Sequence, residues 1–223
     1  MILLALALAP AFAIALFVYY HDKHEKEPVR LLLYSFFLGI ITVIPAILLE
    51  MGLETFIPEK STSWLGLSAH AFIGVALVEE LCKLLAIYYF LFHRGDFNEP
   101  FDGIVYSVMV SLGFASAENI MYIIDGGVSV AILRMFTAVP GHAFFAVLMG
   151  YFLGLYKFKT SNRLLVILAL LVPTIMHGFY DFSLMSDNTF LILAGGLLSL
   201  FFGLVLSLAT MRIHSDNSPF KDN

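Results

Sequence analysis

Ionisable residues interrupt the long apolar stretches of this chain at several places. One of them is Glu79-Glu80-Leu81-Cys82-Lys83, in which Lys83 stands four residues after Glu79 and three after Glu80. Both spacings place the paired side chains on one face of a helix. Lys83 is therefore expected to neutralise or orient one carboxylate, while the other acts as a general base on water. A buried structural ion pair is the alternative interpretation of the same residues.

Two further places carry a polar side chain next to small residues, which let a second helix approach closely. Glu118-Asn119 follows Ala-Ser-Ala, and His142 lies between a glycine and an alanine. Glu118 adds a carboxylate, and the amide of Asn119 can hold a carbonyl oxygen that becomes an oxyanion. A plain interhelical hydrogen bond is the alternative for Glu118 and Asn119. His142 is a candidate for helping to place the water.

His177 and Asp181 stand four residues apart, so they share one helical face. The carboxylate can orient the histidine or bind a metal ion beside it. Arg134 precedes His142 by eight residues, and a structural role is expected for it, either in an ion pair or near the lipid headgroups. The predicted catalytic residues are thus Glu79, Glu80, Glu118, His142, His177 and Asp181, with Asn119 at the oxyanion and Lys83 and Arg134 in structural ion pairs.

The elements that must position these residues are apolar and long. Of the 223 residues, 60% are hydrophobic and 13% are charged, whereas soluble domains have about 25% charged residues. A membrane-spanning helix needs about 20 apolar residues, and runs of that length occur at 1–20, 31–50, 64–92, 101–124, 128–156, 164–185 and 188–211. The sequence predicts an all-α polytopic membrane bundle of about seven transmembrane helices. It divides into one integral-membrane domain over 1–212 and a short polar cytoplasmic tail over 213–223.

The basic residues of the connecting segments predict the orientation. Nine lie in four alternate segments, at 21–30, 93–100, 157–163 and 212–223, and only Lys60 lies in the other three. Basic residues favour the cytoplasmic side, so the N-terminus is predicted outside and the C-terminus in the cytoplasm. The net charge of −5 gives no reason to expect nucleic acid as a partner. Asp102 and Glu50 lie at span ends, where water is near and a structural role is expected.

Ionisable residues inside the spans are costly, at about 2.5–3.5 kcal/mol each on insertion scales. A group of them is therefore expected to form one functional polar centre. A proton- or ion-coupled transporter would also use buried acids, histidines and a lysine. This transporter is the alternative to an enzyme.

The ordered motifs resemble the PrsW family of intramembrane proteases, within a wider group that includes CAAX prenyl proteases. The resemblance rests on Glu79-Glu80-x-x-Lys83, Phe114-x-x-x-Glu118-Asn119, His142 with downstream Gly150, and His177-x-x-x-Asp181. Glu27-Pro28 and Asp102-Gly103-Ile104-Val105-Tyr106 also belong to it. It implies hydrolysis of a peptide bond in a membrane-anchored protein, as in site-1 cleavage of a single-span anti-sigma factor. It also implies a multi-pass protein of the bacterial inner or plasma membrane.

Two versions of the chemistry remain open. Without a metal, Glu79 or Glu80 deprotonates water, Glu118 or His142 helps to place it, and His177, Asn119 and a protonated Asp181 hold the oxyanion. With a metal, His142, His177 and Glu80 bind one divalent ion such as zinc, and a second glutamate is the base. The His-Glu-x-x-His motif of many zinc proteases is absent from the sequence.

Overall fold

A computed structural model describes residues 2–59, 61 and 63–221 of the chain. Every regular element in that part of the chain is helical, and two of them are π-helical segments. The predicted all-α architecture is confirmed. In chain order the elements are α1 (Ile2–His21), α2 (Val29–Glu54), α3 (Trp64–Ala69), a first π-helical segment (His70–Ala76), α4 (Leu77–Phe90), α5 (Pro100–Phe136), α6 (Ala138–Phe158), α7 (Leu164–Met185), a second π-helical segment (Leu191–Gly195) and α8 (Gly196–Asp216).

The N-terminal part of α5 is the centre of the bundle. All residues from 101 to 116 are buried, and α1, α2 and α6 pack around this helix. A helix that is apolar on every side belongs in the interior of a bundle. Its central position lets α5 carry Glu118 toward the middle of the protein, where α4, α6 and α7 bring the other predicted site residues.

Helices α5 and α6 approach so closely that glycine is required on both sides. A Cβ atom built on Gly103 would lie 2.4 Å from the carbonyl oxygen of Gly150, and one built on Gly150 would lie 2.1 Å from that of Gly103. Helices inside a membrane gain no hydrophobic driving force from packing against one another. Small residues at such crossings stabilise the pair instead, because they let the two backbones pack closely. The crossing therefore fixes the register between the helix of Glu118 and that of His142.

Gly150→Ala is expected to lower the thermal stability of the protein because the added methyl group meets backbone. The expected loss is about 1–3 kcal/mol, as for overpacked cores. Gly52→Ala is the control, since a Cβ there has no neighbour within 4 Å. Alanine favours a helix over glycine by up to about 1 kcal/mol, so the control should melt at or above the wild-type temperature. Equal melting temperatures for both variants would contradict the close crossing.

Two irregularities shape the helices near the site. The first π-helical segment lies directly before the glutamates of α4, and π-helical turns are frequent at functional sites. Gly127, with φ of 68°, kinks α5 between its buried N-terminal part and the part that carries Arg134. A left-handed φ of this kind favours glycine. The kink folds the second part of α5 back toward the bundle.

Five helices are long and apolar enough to cross a membrane: Val29–Glu54, Pro100–Ile124, Gly126–Phe158, Leu164–Met185 and Leu191–Asp216. Ala5–His21 is a shorter apolar helix, and the continuous run Trp64–Phe90 carries Glu79, Glu80 and Lys83. The chain is thus a multi-pass membrane protein. Its number of crossings and its orientation stay predictions, and Lys60, which contributed to the orientation, lies outside the described residues.

Candidate active site

Three helices bring four of the predicted residues into one buried group. Glu79 and Glu80 from α4, His142 from α6 and His177 from α7 each contribute one potential ligand atom, and these atoms all lie within 4.8 Å of one another. We call these four residues the central cluster. All four residues are at most 5% exposed. The prediction that residues distant in sequence meet in one polar centre is thereby confirmed for them, while their individual roles stay predictions.

Lys83 joins the central cluster from the next turn of α4. Its ammonium lies 3.1 Å from Glu79 Oε2 and 2.8 Å from Glu80 Oε1. The expectation that Lys83 would pair with only one of these carboxylates is wrong, because both rotate toward the same ammonium. The ammonium also lies over the ring of Phe114, 4.2 Å from its centre, which adds a cation–π contact.

The hydrogen bonds of His142 define its tautomer. Lys83 Nζ can only donate and lies 3.2 Å from Nδ1 of His142, so Nδ1 accepts. Nε2 therefore carries the proton and donates it to Glu118 Oε2 at 2.8 Å. Ser111 adds a hydrogen bond from its hydroxyl to the His142 carbonyl at 2.9 Å. Glu118 is thus tied to the central cluster through a neutral imidazole.

Arg134 forms an ion pair with an acid, which is one of the two structural roles expected for it. Its Nη2 lies 3.0 Å from Glu118 Oε2, and its Nε donates to the Asn119 side-chain oxygen at 3.0 Å. The amide nitrogen of Asn119 donates to the carbonyl of Ala7 in α1. Asn119 is fully buried and holds Arg134, so the structure gives no support to its predicted role at an oxyanion.

His177 lies between two acids. Its Nδ1 donates to Glu80 Oε1 at 3.0 Å, and its Nε2 is 3.2 Å from Asp181 Oδ2. The ring of Phe145 stacks on the imidazole with centroids 5.2 Å apart. Carboxylates on both nitrogens and an aromatic ring on one face fix the orientation of this histidine.

A cavity of about 530 Å³ opens beside the central cluster. Such a volume is typical of small-ligand and substrate sites. Glu79 and Glu118 both line it, whereas Glu80 is fully buried behind Lys83 and His177. The cavity therefore distinguishes two adjacent glutamates that the sequence left equivalent. The predicted residues that line it are Glu79, Glu118, Arg134, His142, His177 and Asp181.

Other cavity residues were not identified as site residues from the sequence. Glu50 from the end of α2 and Tyr180 from α7 line the same cavity, as does His70 of the first π-helical segment. Tyr180 follows His177 by three residues, and that spacing was a usable signal for a shared face. Glu50 had no comparable signal, because its approach depends on how α2 packs against the bundle.

The donor types of the central cluster fit a divalent metal. Two histidines and a carboxylate are a common set for catalytic zinc, here His142, His177 and Glu80. The second oxygen of Glu80 is buried and accepts no hydrogen bond, so it is free to bind an ion. The ammonium of Lys83, however, contacts three of the four members. The same group is therefore also held together by a positive charge of the protein itself.

Comparisons with known proteins identify the family of the chain. Residues 27–210 match the family model described as "PrsW family intramembrane metalloprotease". Among the similar curated proteins are three named Protease PrsW. That of Geobacillus kaustophilus is 36% identical over 83% of this chain and 81% of its own length. Those of Bacillus subtilis and Clostridioides difficile are 35% and 34% identical over 82% and 83% of this chain, and 82% and 80% of their own lengths.

No solved structure matches the chain significantly. The family match covers most of the chain, from Glu27 to the last turns of α8, and includes every residue of the central cluster. The identities of about 35% extend over four fifths of the chain. The chain belongs to the PrsW family of intramembrane proteases.

Proposed function

We propose that this chain is an endopeptidase that hydrolyses a peptide bond of a membrane-anchored protein, with Glu79 as the base that activates water. The observation that carries the proposal is the position of Glu79, which faces the cavity while Lys83 holds its carboxylate from behind. Glu80 is 0% exposed and is engaged by both Lys83 and His177. It is suited to position those two residues.

The reaction follows from the groups around the cavity. Glu79 takes a proton from water as the water oxygen bonds to the carbonyl carbon of the substrate, and His177 and a protonated Asp181 donate hydrogen bonds to the resulting oxyanion. Glu118, fixed by Arg134 and His142, helps to place the water. The proton on Glu79 passes to the amide nitrogen as the C–N bond breaks. The products are a carboxylate and an amine.

A bound zinc ion would polarise the carbonyl and favour hydroxide over water in the same cavity. In that version His142, His177 and Glu80 hold the ion, and the role of Glu79 as base is unchanged. The metal and metal-free versions thus differ in how the carbonyl is activated and share the residue that removes the proton.

We propose a single-span membrane protein, such as an anti-sigma factor, as the substrate. The support is the resemblance described above and the position of the cavity among helices long enough to cross a membrane. The host membrane in this proposal is the bacterial inner or plasma membrane. The comparisons lend no support to the transporter alternative, because the matched relatives are named as proteases.

We further propose seven crossings, with the N-terminus outside and the C-terminus in the cytoplasm. α1 and the run Trp64–Phe90 add two spans to the five identified by length and hydropathy. A green fluorescent protein fused after residue 223 should then fluoresce, and alkaline phosphatase at the same place should be inactive. Active phosphatase would contradict the orientation.

The experiment that tests the function is cleavage of a purified single-span substrate by the purified protein in detergent, with and without a chelator. Wild type should produce two fragments, and Glu80→Ala should produce none. Activity that survives exhaustive chelation would remove the metal version, and activity lost and then restored by zinc would remove the metal-free one. No fragments from folded wild-type protein with any tested substrate would count against the proposal.

A further inference from the structure

A second group of acids lies at the opposite end of α5 from the central cluster. Glu25 and Glu27, from the segment between α1 and α2, meet Asp102 in the first turn of α5. We call these three residues the acidic cluster. Asp102 precedes Glu118 by sixteen residues on the same helix, so the two sites are roughly 24 Å apart along it. The chemistry proposed above does not use the acidic cluster.

The geometry of the acidic cluster suits one cation. Each of the three residues contributes a carboxylate oxygen, and these oxygens all lie within 4.8 Å of one another. Oxygens that bind one Ca²⁺ ion at about 2.3–2.6 Å are at most about 5.2 Å apart, so a single ion can touch all three. Mg²⁺ binds fewer protein oxygens and keeps some of its water, which the same group also permits.

Buried oxygens without partners point independently to a bound ion. Glu27 is 2% exposed and Asp102 is 0% exposed, yet Glu27 Oε1 and Asp102 Oδ1 accept no hydrogen bond. Their other oxygens are used, since Tyr106 donates to Glu27 Oε2 and two backbone amides donate to Asp102 Oδ2. Further unpartnered buried oxygens in these two segments belong to Asp22, Glu25, Asn98 and Glu99. An unsatisfied buried carboxylate is costly.

The nearby ammonium groups bind backbone carbonyls and form no ion pair with these carboxylates among the described residues. Lys26 donates to the backbone carbonyls of Tyr19 and Asp22. Lys157 donates to those of Phe92 and Phe97, at 2.5 and 2.7 Å. Within residues 2–59, 61 and 63–221, no lysine, arginine or histidine nitrogen lies within 4.0 Å of a carboxylate oxygen of the acidic cluster, Asp22 or Glu99.

We propose that Glu25, Glu27 and Asp102 bind a hard divalent cation that fastens the segment between α1 and α2 to the start of α5. All of its protein ligands are oxygens, which Ca²⁺ and Mg²⁺ prefer. The site gives a role to Glu27 and to Asp102 with Tyr106, which lie 75 residues or more apart in sequence and meet here. It is structural and separate from the proteolytic centre.

The test measures the melting temperature of the purified protein in detergent, first in chelator and then with Mg²⁺ or Ca²⁺ added. Wild type should gain on the order of 5 °C at about 100 times Kd. Glu27→Gln should lose this gain, whereas His177→Ala, at the central cluster, and Asp187→Asn, at an exposed acid, should keep it. In chelator Glu27→Gln should melt at or above wild type, because it buries one charge fewer, and in saturating cation it should melt below wild type.

A direct binding measurement keeps the proposal testable if Glu27→Gln does not fold. Tb³⁺ is a luminescent substitute for Ca²⁺. Tyr106 donates a hydrogen bond to Glu27 and therefore lies close enough to the site to sensitise Tb³⁺ emission. Wild type should show tyrosine-sensitised emission that Ca²⁺ or Mg²⁺ reduces. The proposal is overturned if folded wild-type protein shows neither a cation-dependent shift in melting temperature nor Tb³⁺ emission that Ca²⁺ or Mg²⁺ reduces. It is also overturned if Glu27→Gln keeps the shift and His177→Ala loses it.

Discussion

Glu79→Gln should reduce cleavage by about 100- to 10,000-fold, the contribution of a positioned general base. Glutamine has the same shape but cannot take the proton from water, so the cavity is preserved while the chemistry is lost. Glu79 is the glutamate of α4 that faces the cavity. The measurement is the rate of fragment formation from a single-span substrate at saturating concentration.

The control for this experiment is Asp96→Asn, a neutralised acid that is exposed between α4 and α5. It should cleave at the wild-type rate. The melting temperatures of both variants should be recorded, because Lys83 keeps Glu80 as a partner when Glu79 is neutral. A Glu79→Gln variant with wild-type cleavage would show that another group activates the water.

Lys83→Met should have the largest effect on stability. The ammonium is 1% exposed and contacts two carboxylates and His142. Its removal leaves two buried acids without their counterion, which typically costs about 3–5 kcal/mol. A large fall in melting temperature is expected, together with loss of cleavage.

A combined variant separates charge from packing in this result. Lys83→Met with Glu79→Met and Glu80→Met removes the acids along with their counterion, and replacement of buried ion pairs by hydrophobic residues of similar volume is often tolerated. The triple variant should regain much of the lost melting temperature and remain inactive. If Lys83→Met melts at the wild-type temperature, Lys83 does not hold the central cluster together.

The sequence was informative about the site because charge inside an apolar span is costly and therefore rare. That rule identified Glu79, Glu80, His142 and His177, which the bundle brings together. It could not tell Glu79 from Glu80, because which of two adjacent residues faces a cavity depends on the rotation of α4 against its neighbours. The contact of Lys83 with both acids depends on the same rotation.

The N-terminal end of α5 shows a second kind of contact that could not be predicted from the sequence. Asp102 was expected near water because it lies at a span end, but it is fully buried. The cause is the segment between α1 and α2, which folds over the start of α5 and brings Glu27 to Tyr106, 79 residues away. Local sequence patterns carry little information about contacts between residues so far apart in the chain. The fold class and the helices followed from hydropathy, whereas their packing required the structure.

The most direct test of the central claim is to identify the cleavage products. Purified wild-type protein and a single-span substrate are placed in the same liposomes, and the fragments are sequenced by mass spectrometry. Wild type should give two complementary fragments whose shared boundary lies within or next to the membrane-spanning segment of the substrate, and Glu79→Gln should give none. Intact substrate after incubation with folded, inserted wild-type protein, or equal cleavage by Glu79→Gln, would contradict the proposed peptidase activity.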